Sequence, residues 1–233
     1  MLSTPVVTSQ DILLKLCHSV SHILSRTTST AITHAGMVQT ITRTCLKPDL
    51  GCFSIFDGGF SGLVVINFSS SSAIEIYRAY MMQMGMPESD LAFSHTQDEV
   101  ANVMGELMNQ IIGDFTNKVS QELQSSISQS QPKMLTISKE ITLSVDTNLT
   151  EAVSRRVAFK TEGNHSFYLE FAMDKTEFIS LNTIKDDKEQ DPDKLLEVHG
   201  TQKVEAREQV KVTNNQSSTK VDEADALLNS LGL

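Results

Sequence analysis

The residues whose types and spacing could do chemistry are two Glu/Asn pairs, Glu99 with Asn102 and Glu106 with Asn109. Steps of three and four residues place side chains on one face of a helix, so the four form one polar stripe. A carboxamide can donate to and accept from a water molecule, which aims the lone pair of that water at an electrophile. Positioning of this kind recurs in phosphoryl transfer, and a carboxylate can orient a complex by pairing with a cation. An ordinary solvated helix face is the alternative that this spacing leaves open.

The helix that must carry the stripe is predicted over 97–124. Gly105 and Gly113 interrupt it, and each glycine costs a helix interior roughly 1 kcal/mol relative to alanine. Asparagine is also a poor helix former, because its side chain competes for the backbone. These penalties indicate that something approaches this face closely. The opposite face is apolar at helical spacing, with Val100, Val103, Met104, Leu107, Met108, Ile111, Ile112, Phe115, Val119 and Leu123.

The surrounding elements predict an α+β domain. A first helix over 11–25 follows Thr8 or Ser9 as its cap, and a second over 73–84 follows a serine run. Asp-Gly-Gly at 57–59 predicts a hairpin turn between strands at 52–56 and 61–68, and it lacks the lysine of a phosphate-binding loop. Further β-rich stretches are 37–46, 134–137, 141–145, 152–160 and 166–173, and 125–131 is a polar connection that ends at Pro132.

Composition excludes several classes of function. A net charge of −10 and a pI near 5 argue against nucleic acid as the ligand. No apolar run reaches membrane-spanning length and no signal peptide is evident, so we expect a cytoplasmic protein without a membrane partner. Three cysteines without CxxC spacing indicate neither a disulfide framework nor a zinc site. His18 and His22 have the spacing of metal ligands, but no third ligand is evident and no metal site is predicted.

The C-terminal part of the chain has a different character. From 174 to 220 the sequence is polar, charge-rich and almost free of aromatic residues, which predicts a flexible acidic linker. An apolar stripe reappears over 221–233, behind acids that suit the first turn of a helix. So short a helix does not hold alone in water, so we expect it to fold on a partner. Docking on its own domain is the alternative.

The segment around Glu106 resembles the CheC/CheX/FliY family, which removes phosphate from the aspartyl phosphate of chemotaxis response regulators. The family signature is an acid or serine, three residues, Glu, two residues, Asn, and then twenty-two residues to a Pro; Glu106, Asn109 and Pro132 have this spacing. The run from Gly105 to Gly113 also resembles the family's Gly-Glu-x-x-Asn-x-x-x-Gly. The hairpin at 56–66 and the serine run at 69–73 are similar to its upstream elements, and the likeness covers roughly 11–173.

The chain departs from the family pattern at one position of the signature, where Asn102 stands in place of the acid or serine. Its first helix has no Glu-x-x-Asn, so the resemblance favours the single-site CheX pattern over the two-site CheC pattern. It implies a CheC/CheX-like domain over 1–173, a sheet packed by two or three helices including one long central helix.

The resemblance also implies functional roles. Glu106 and Asn109 would be catalytic in hydrolysing the aspartyl phosphate of a CheY-like receiver, and Glu99, Asn102 and Gly113 would border the contact. Mg²⁺ would come with the receiver, so the chain would need no cofactor of its own. Dimerisation is implied for CheX-like members, and the residues here do not derive it.

The C-terminal stretch 221–229 is similar to the acidic segment of FliM and FliY that docks phosphorylated CheY. The residues that would bind the receiver there are Asp222, Glu223, Asp225, Leu227 and Leu228, and an alanine replaces the isoleucine of that segment. A tether raises the local concentration of the receiver without new contacts at the catalytic face. Two alternatives remain: an adaptor that binds phosphorylated receivers without turnover, and a component of the flagellar switch.

Overall fold

The computed structural model describes residues 6–145, 148–149 and 151–179. All described residues belong to the compact unit Met1–Leu181. The docking helix expected over 221–233, and the linker from 180 onwards, lie outside the described residues.

Three α-helices occur in the described ranges, and sequence analysis predicted all three. They are α1 (Ser9–Thr28), α2 (Ser70–Gln83) and α3 (Asp98–Leu123). The predicted cap of α1 is confirmed, since the Thr8 hydroxyl accepts from the Asp11 N–H at 3.4 Å and the Asp11 carboxylate accepts from the Thr8 N–H at 2.8 Å. This reciprocal capping box satisfies two backbone donors at the start of α1.

Eleven strands are described, and all their pairings are antiparallel. The main sheet has seven strands in the order β2-β9-β10-β5-β4-β6, with β7 also pairing with β4. Two smaller pairs, β1–β11 and β3–β8, complete the set. The bounds are β1 Val6–Thr8, β2 Thr33–Thr40, β3 Thr44–Leu46, β4 Leu50–Gly58, β5 Gly62–Phe68, β6 Ile127–Gln129, β7 Lys133–Thr136, β8 Leu143–Val145, β9 Val153–Lys160, β10 Ser166–Met173 and β11 Glu177–Ile179.

The main sheet is covered on both faces. Every residue of β5 is buried, and its side chains alternate between the two faces. Val64, Ile66 and Phe68 pack with the helices in the main core, whereas Leu63 and Val65 join a second cluster with Leu46 of β3. The helices therefore occupy one face, and the β3 segment lies over the other.

The predicted turn at 57–59 differs in detail from the structure. Asp57 and Gly58 are still part of β4, where they pair with Ser128 and Ile127 of β6. The polar connection expected over 125–131 thus contains a strand. A β-carbon on Gly58 would overlap the carbonyl oxygen of Ser126, so glycine lets β6 approach β4. A strand of only three residues is too short to show an alternation that sequence analysis can recognise.

The described fold also extends beyond residue 173, where the domain was expected to end. Strand β11 lies past that point and pairs with β1, which was not predicted either. Each strand has only three residues, and its partner stands at the other end of the domain. Such a pairing is decided by tertiary contacts rather than by local sequence pattern.

Glu75 joins α2 to the turn between β9 and β10, the turn predicted at Gly163-Asn164. Its carboxylate accepts from the Gly163 N–H at 2.8 Å and from the Thr161 hydroxyl, and it lies 2.6 Å from His165 Nδ1. Burial raises the pKa of Glu75, but these hydrogen bonds and the nearby imidazole outweigh burial, so the pKa lies below its ordinary value of 4.5. The ionised carboxylate therefore stabilises the fold.

We expect this contribution to be present above the unfolded-state pKa and to be lost as pH falls through the lowered pKa of the folded state. Wild type and Glu75→Gln should be unfolded with urea at a series of pH values between about 3 and 7. The wild type should lose more stability than the variant across the acid end of this range. Parallel curves for the two proteins would contradict the prediction.

Candidate functional site

Helix α3 presents Glu106 and Asn109 to solvent. Both side chains are exposed, whereas the intervening Leu107 and Met108 are each only 1% exposed and belong to the core. The predicted split of α3 into an apolar and a polar face is therefore confirmed. Because core packing fixes the rotation of α3, the polar pair is held outward.

Glu106 and Asn109 share one open cavity of about 400 Å³. One wall comes from α3 and the other from the segment that leads from β6 into β7. Pro132, which the signature separates from Asn109 by twenty-two intervening residues, lies in this second wall. The lining residues are Ala101, Asn102, Gly105, Glu106, Asn109, Gln131, Pro132, Lys133 and Met134.

The two glycines of α3 are not required by packing within the described residues. A β-carbon on Gly105 would lie 3.4 Å from Met134 Cγ, an ordinary contact, and a β-carbon on Gly113 would meet nothing within 4 Å. Their helix-forming cost thus has no steric reason in the fold. Because neither glycine has a side chain, the surface of α3 does not project beside Glu106 and Asn109 at these two positions.

The carboxamide of Asn109 is held by Gln129 of β6. Gln129 Nε2 donates to Asn109 Oδ1 at 3.3 Å, and the Thr116 hydroxyl donates to Gln129 Oε1 at 3.2 Å. Thr116 is itself only 6% exposed. A chain of hydrogen bonds therefore runs from the interior of α3 through β6 to the rim of the cavity.

The cavity carries one carboxylate and one ammonium group. Glu106 accepts a hydrogen bond from Gln110 of the next helical turn at 3.1 Å. Neither Glu106 nor Lys133 forms an ion pair with another described residue. Both charges are thus available to a partner molecule.

The structure does not bring all four predicted stripe residues together. Asn102 lines the cavity with Glu106 and Asn109, whereas Glu99 contacts α2, where Tyr77 donates to Glu99 Oε1 at 2.7 Å. Burial raises the pKa of the Tyr77 phenol and the Glu99 carboxylate raises it further, despite a hydrogen bond from the Ala92 N–H. The phenol stays protonated and keeps Glu99 as its acceptor. A role of Glu99 in partner binding stays a prediction.

Gln129 and Lys133 were not singled out by sequence analysis. Both lie in polar sequence near Pro132 that reads as a connection, and no spacing rule links them to Asn109. The pairing of β6 and β7 with β4 brings them to the cavity. The proposed docking residues Asp222, Glu223, Asp225, Leu227 and Leu228 lie outside the described residues.

In the described ranges, no three His, Cys, Asp or Glu side chains gather closely enough to hold a metal ion. Burial raises the pKa of the Cys17 thiol to about 12 and that of Cys52 further still, so both thiols stay protonated at neutral pH. No helix among these residues has the length and apolar character that a membrane span requires.

The fold is that of the CheC/CheX-like chemotaxis proteins, which confirms the predicted α+β class and resemblance. A CheX from Desulfovibrio desulfuricans superposes with a TM-score of 0.58 at 18% identity, over 70% of this chain and 99% of its own. A CheC-like superfamily protein from Shewanella gives 0.57 at 16% identity, covering 70% and 97%. CheX in the CheX–CheY–BeF₃–Mg²⁺ complex from Borrelia burgdorferi gives 0.50 at 13% identity, covering 70% and 98%.

The chain belongs to the family DUF3334, described as proteins of unknown function, whose model matches residues 3–233. No curated protein matches the chain. Sequence identities to the solved structures are low enough that the likeness establishes the fold, while the function must be argued from the site.

Proposed function

We propose that this chain hydrolyses the aspartyl phosphate of a CheY-like receiver domain. The observation that carries the proposal is that Glu106 and Asn109 lie exposed in one cavity whose other wall contains Pro132. These are the three residues that resemble the signature of the CheC/CheX/FliY phosphatases. They come together here from α3 and from the β6–β7 connection.

In the proposed reaction, the Asn109 carboxamide enters the phosphorylated site of the receiver. It orients a water molecule for attack on phosphorus in line with the departing aspartate oxygen. Positioning of this water is the main contribution, because phosphoryl transfer asks little covalent chemistry of the protein. Mg²⁺ belongs to the receiver in this proposal, where it would neutralise charge on the phosphoryl oxygens.

The surroundings of Asn109 suit a partner that comes close. Gly105 and Gly113 keep the helix surface low at the two sides of the polar pair, and neither is required by the fold. Glu106 would pair with a basic group of the receiver and set the register of the complex. The Borrelia complex of CheX with CheY, which shares the fold, supports a receiver as the partner.

The direct test is the decay of phosphorylated CheY-like receivers, with Mg²⁺ present, in the presence and absence of this chain. Decay faster than the receiver's own rate supports a phosphatase. Stable binding of phosphorylated receivers without faster decay would replace it by the adaptor alternative. Docking of the same receiver by residues 221–233 stays a prediction. A cytoplasmic location of the protein stays a prediction as well.

The role of Glu106 leads to a separate prediction. Glu106→Gln removes the charge and keeps an oxygen that can accept from Gln110, so we expect KM for the phosphorylated receiver to rise about tenfold with a smaller change in kcat. The salt dependence of KM should weaken with it. Both quantities should be measured across a salt series.

Glu140→Gln is the matched control, because Glu140 is also an exposed carboxylate and lies outside the cavity. It changes the net charge by the same amount as Glu106→Gln. Equal effects of the two variants would mean that overall charge, and not a pairing at Glu106, attracts the receiver.

A further inference from the structure

We infer that Gln129 and Thr116 are positioning residues that fix the orientation of the Asn109 carboxamide, a role that rests on the proposed function. Asn109 is exposed, and the terminal torsion of an asparagine side chain is broad and roughly two-fold. Without a neighbour, the amide would rotate freely and present either end to the water. The hydrogen bond from Gln129 Nε2 to Asn109 Oδ1 at 3.3 Å favours one of the two orientations.

The orientation is selected by donor and acceptor matching. If the Asn109 carboxamide alone turned end for end, its NH₂ group would face the NH₂ group of Gln129, and two donors cannot bond. Gln129 is oriented by the same rule, because the Thr116 hydroxyl donates to Gln129 Oε1 at 3.2 Å. The Asn109 NH₂ group and the second lone pair of Oδ1 are left for the water.

Thr116, Gln129 and Asn109 form a hydrogen-bond relay, and the direction in which the Thr116 hydroxyl proton points decides the orientation of both amides. The hydroxyl also lies 3.2 Å from the carbonyl oxygen of Gly113, and its one proton can serve only one acceptor at a time. Both amides could reverse together only if that proton turned to Gly113 and the Gln129 NH₂ group donated to the Thr116 oxygen. Thr116 therefore couples the interior of α3 to the orientation of Asn109.

Hydrogen bonds between the β6 segment and β4 fix the backbone around Gln129. Gln129 pairs with Phe56 of β4, and next to it the Ser130 hydroxyl accepts from the Ile55 N–H at 2.9 Å. The Ser54 hydroxyl donates to the Ser130 carbonyl, also at 2.9 Å. The backbone of Gln129 is thus positioned by the sheet, while its side-chain amide is oriented by Thr116 of α3. Asn109 is held between two elements, which lowers the entropy that catalysis would otherwise lose on ordering the amide.

The test compares Gln129→Met, which keeps the length of the side chain, with Thr116→Val, which keeps the shape of the threonine. Each should lower kcat for receiver dephosphorylation by about three- to tenfold, the value of one hydrogen bond, with KM unchanged. Thr116→Ser retains the hydroxyl and should restore most of the rate. Ser128→Ala is the control on the same strand, since the Ser128 hydroxyl donates to the Asp57 carbonyl at 3.1 Å and lies away from the relay.

A double-mutant cycle separates positioning from a structural role. Because Gln129 acts through Asn109, Gln129→Met should have no further effect on kcat in an Asn109→Ala background. An equal additional loss in that background, an effect on KM in place of kcat, or the same loss in Ser128→Ala would overturn the inference.

A measurement without turnover distinguishes failure of this inference from failure of the proposed function. The side-chain amide signal of Asn109, assigned by its loss in Asn109→Ala, should show lower order by ¹⁵N relaxation in Gln129→Met than in wild type or Ser128→Ala. Unchanged order in Gln129→Met would overturn the relay. A wild-type chain that dephosphorylates no receiver would overturn the proposed function and the catalytic role of the relay, while the amide order would still decide whether Gln129 holds Asn109.

Discussion

Asn109→Ala is expected to lower the rate constant for receiver dephosphorylation by at least about a hundredfold, since loss of reactant alignment alone costs that much. The substitution removes the group that would orient the attacking water and leaves the helix intact, because alanine is the best helix former. This constant is measured directly by the single-turnover decay of the phosphorylated receiver at a saturating concentration of this protein. Affinity for the receiver should change little, since the carboxamide acts mainly in the transition state.

Asn117→Ala is the matched control for this prediction. Asn117 is also an exposed asparagine of α3, and it lies outside the cavity. It should retain wild-type rate and stability. A variant at Asn109 that keeps its rate, or that loses rate only through weaker binding, would show that the carboxamide does not orient the water.

Glu170→Ala is expected to destabilise the fold by about 3–5 kcal/mol, because it breaks a buried ion pair. The Glu170 side chain is fully buried on β10 and accepts from Arg156 Nε and Nη2 at 2.9 and 2.7 Å. It also accepts from the Cys45 N–H at 2.8 Å and lies 3.5 Å from Lys47 Nζ. Alanine would leave a backbone donor and a guanidinium group without this acceptor.

The loss should extend to the β3 segment, which these contacts hold against the sheet. Asn67 completes the attachment, because it donates to the Cys45 carbonyl at 2.9 Å and accepts from the Lys47 N–H at 2.8 Å. Urea unfolding gives the total change in free energy, and hydrogen exchange at 44–47 shows where protection is lost first.

The double variant Glu170→Met/Arg156→Met provides the contrast. Replacing both charges by apolar side chains removes the stranded guanidinium, so it should recover part of the stability that Glu170→Ala loses. Glu177→Ala, at an exposed carboxylate on β11, should be near neutral. A Glu170→Ala protein with wild-type stability would mean that water replaces the buried contacts at no cost.

Several features of this protein were predictable because their signals are local. The apolar spacing of α3, the Thr8 cap of α1 and the paired apolar runs of β4 and β5 each lie within one continuous stretch of sequence. In such stretches, side-chain periodicity and backbone satisfaction decide the structure over neighbouring residues. The outward placement of Glu106 and Asn109 followed from the same periodicity.

Other features depended on contacts between distant segments. The hydrogen bond between Tyr77 and Glu99 forms because α2 packs against α3. The pairing of β1 with β11 joins segments from the two ends of the domain. Glu170 is a charged residue in an apolar strand, and its burial depends on Arg156 of β9 and on the β3 segment, which are distant in sequence.

The sequence by itself determined the helix, the polar pair on its exposed face and the proline at the matching distance. Tertiary structure alone decided that Pro132 and Lys133 would lie across the cavity from that pair, and that Gln129 of β6 would bond Asn109. The reason is physical: a helical face is fixed by residues within a few turns, whereas the approach of β6 and β7 to α3 depends on their register against β4. That register is set by the whole sheet.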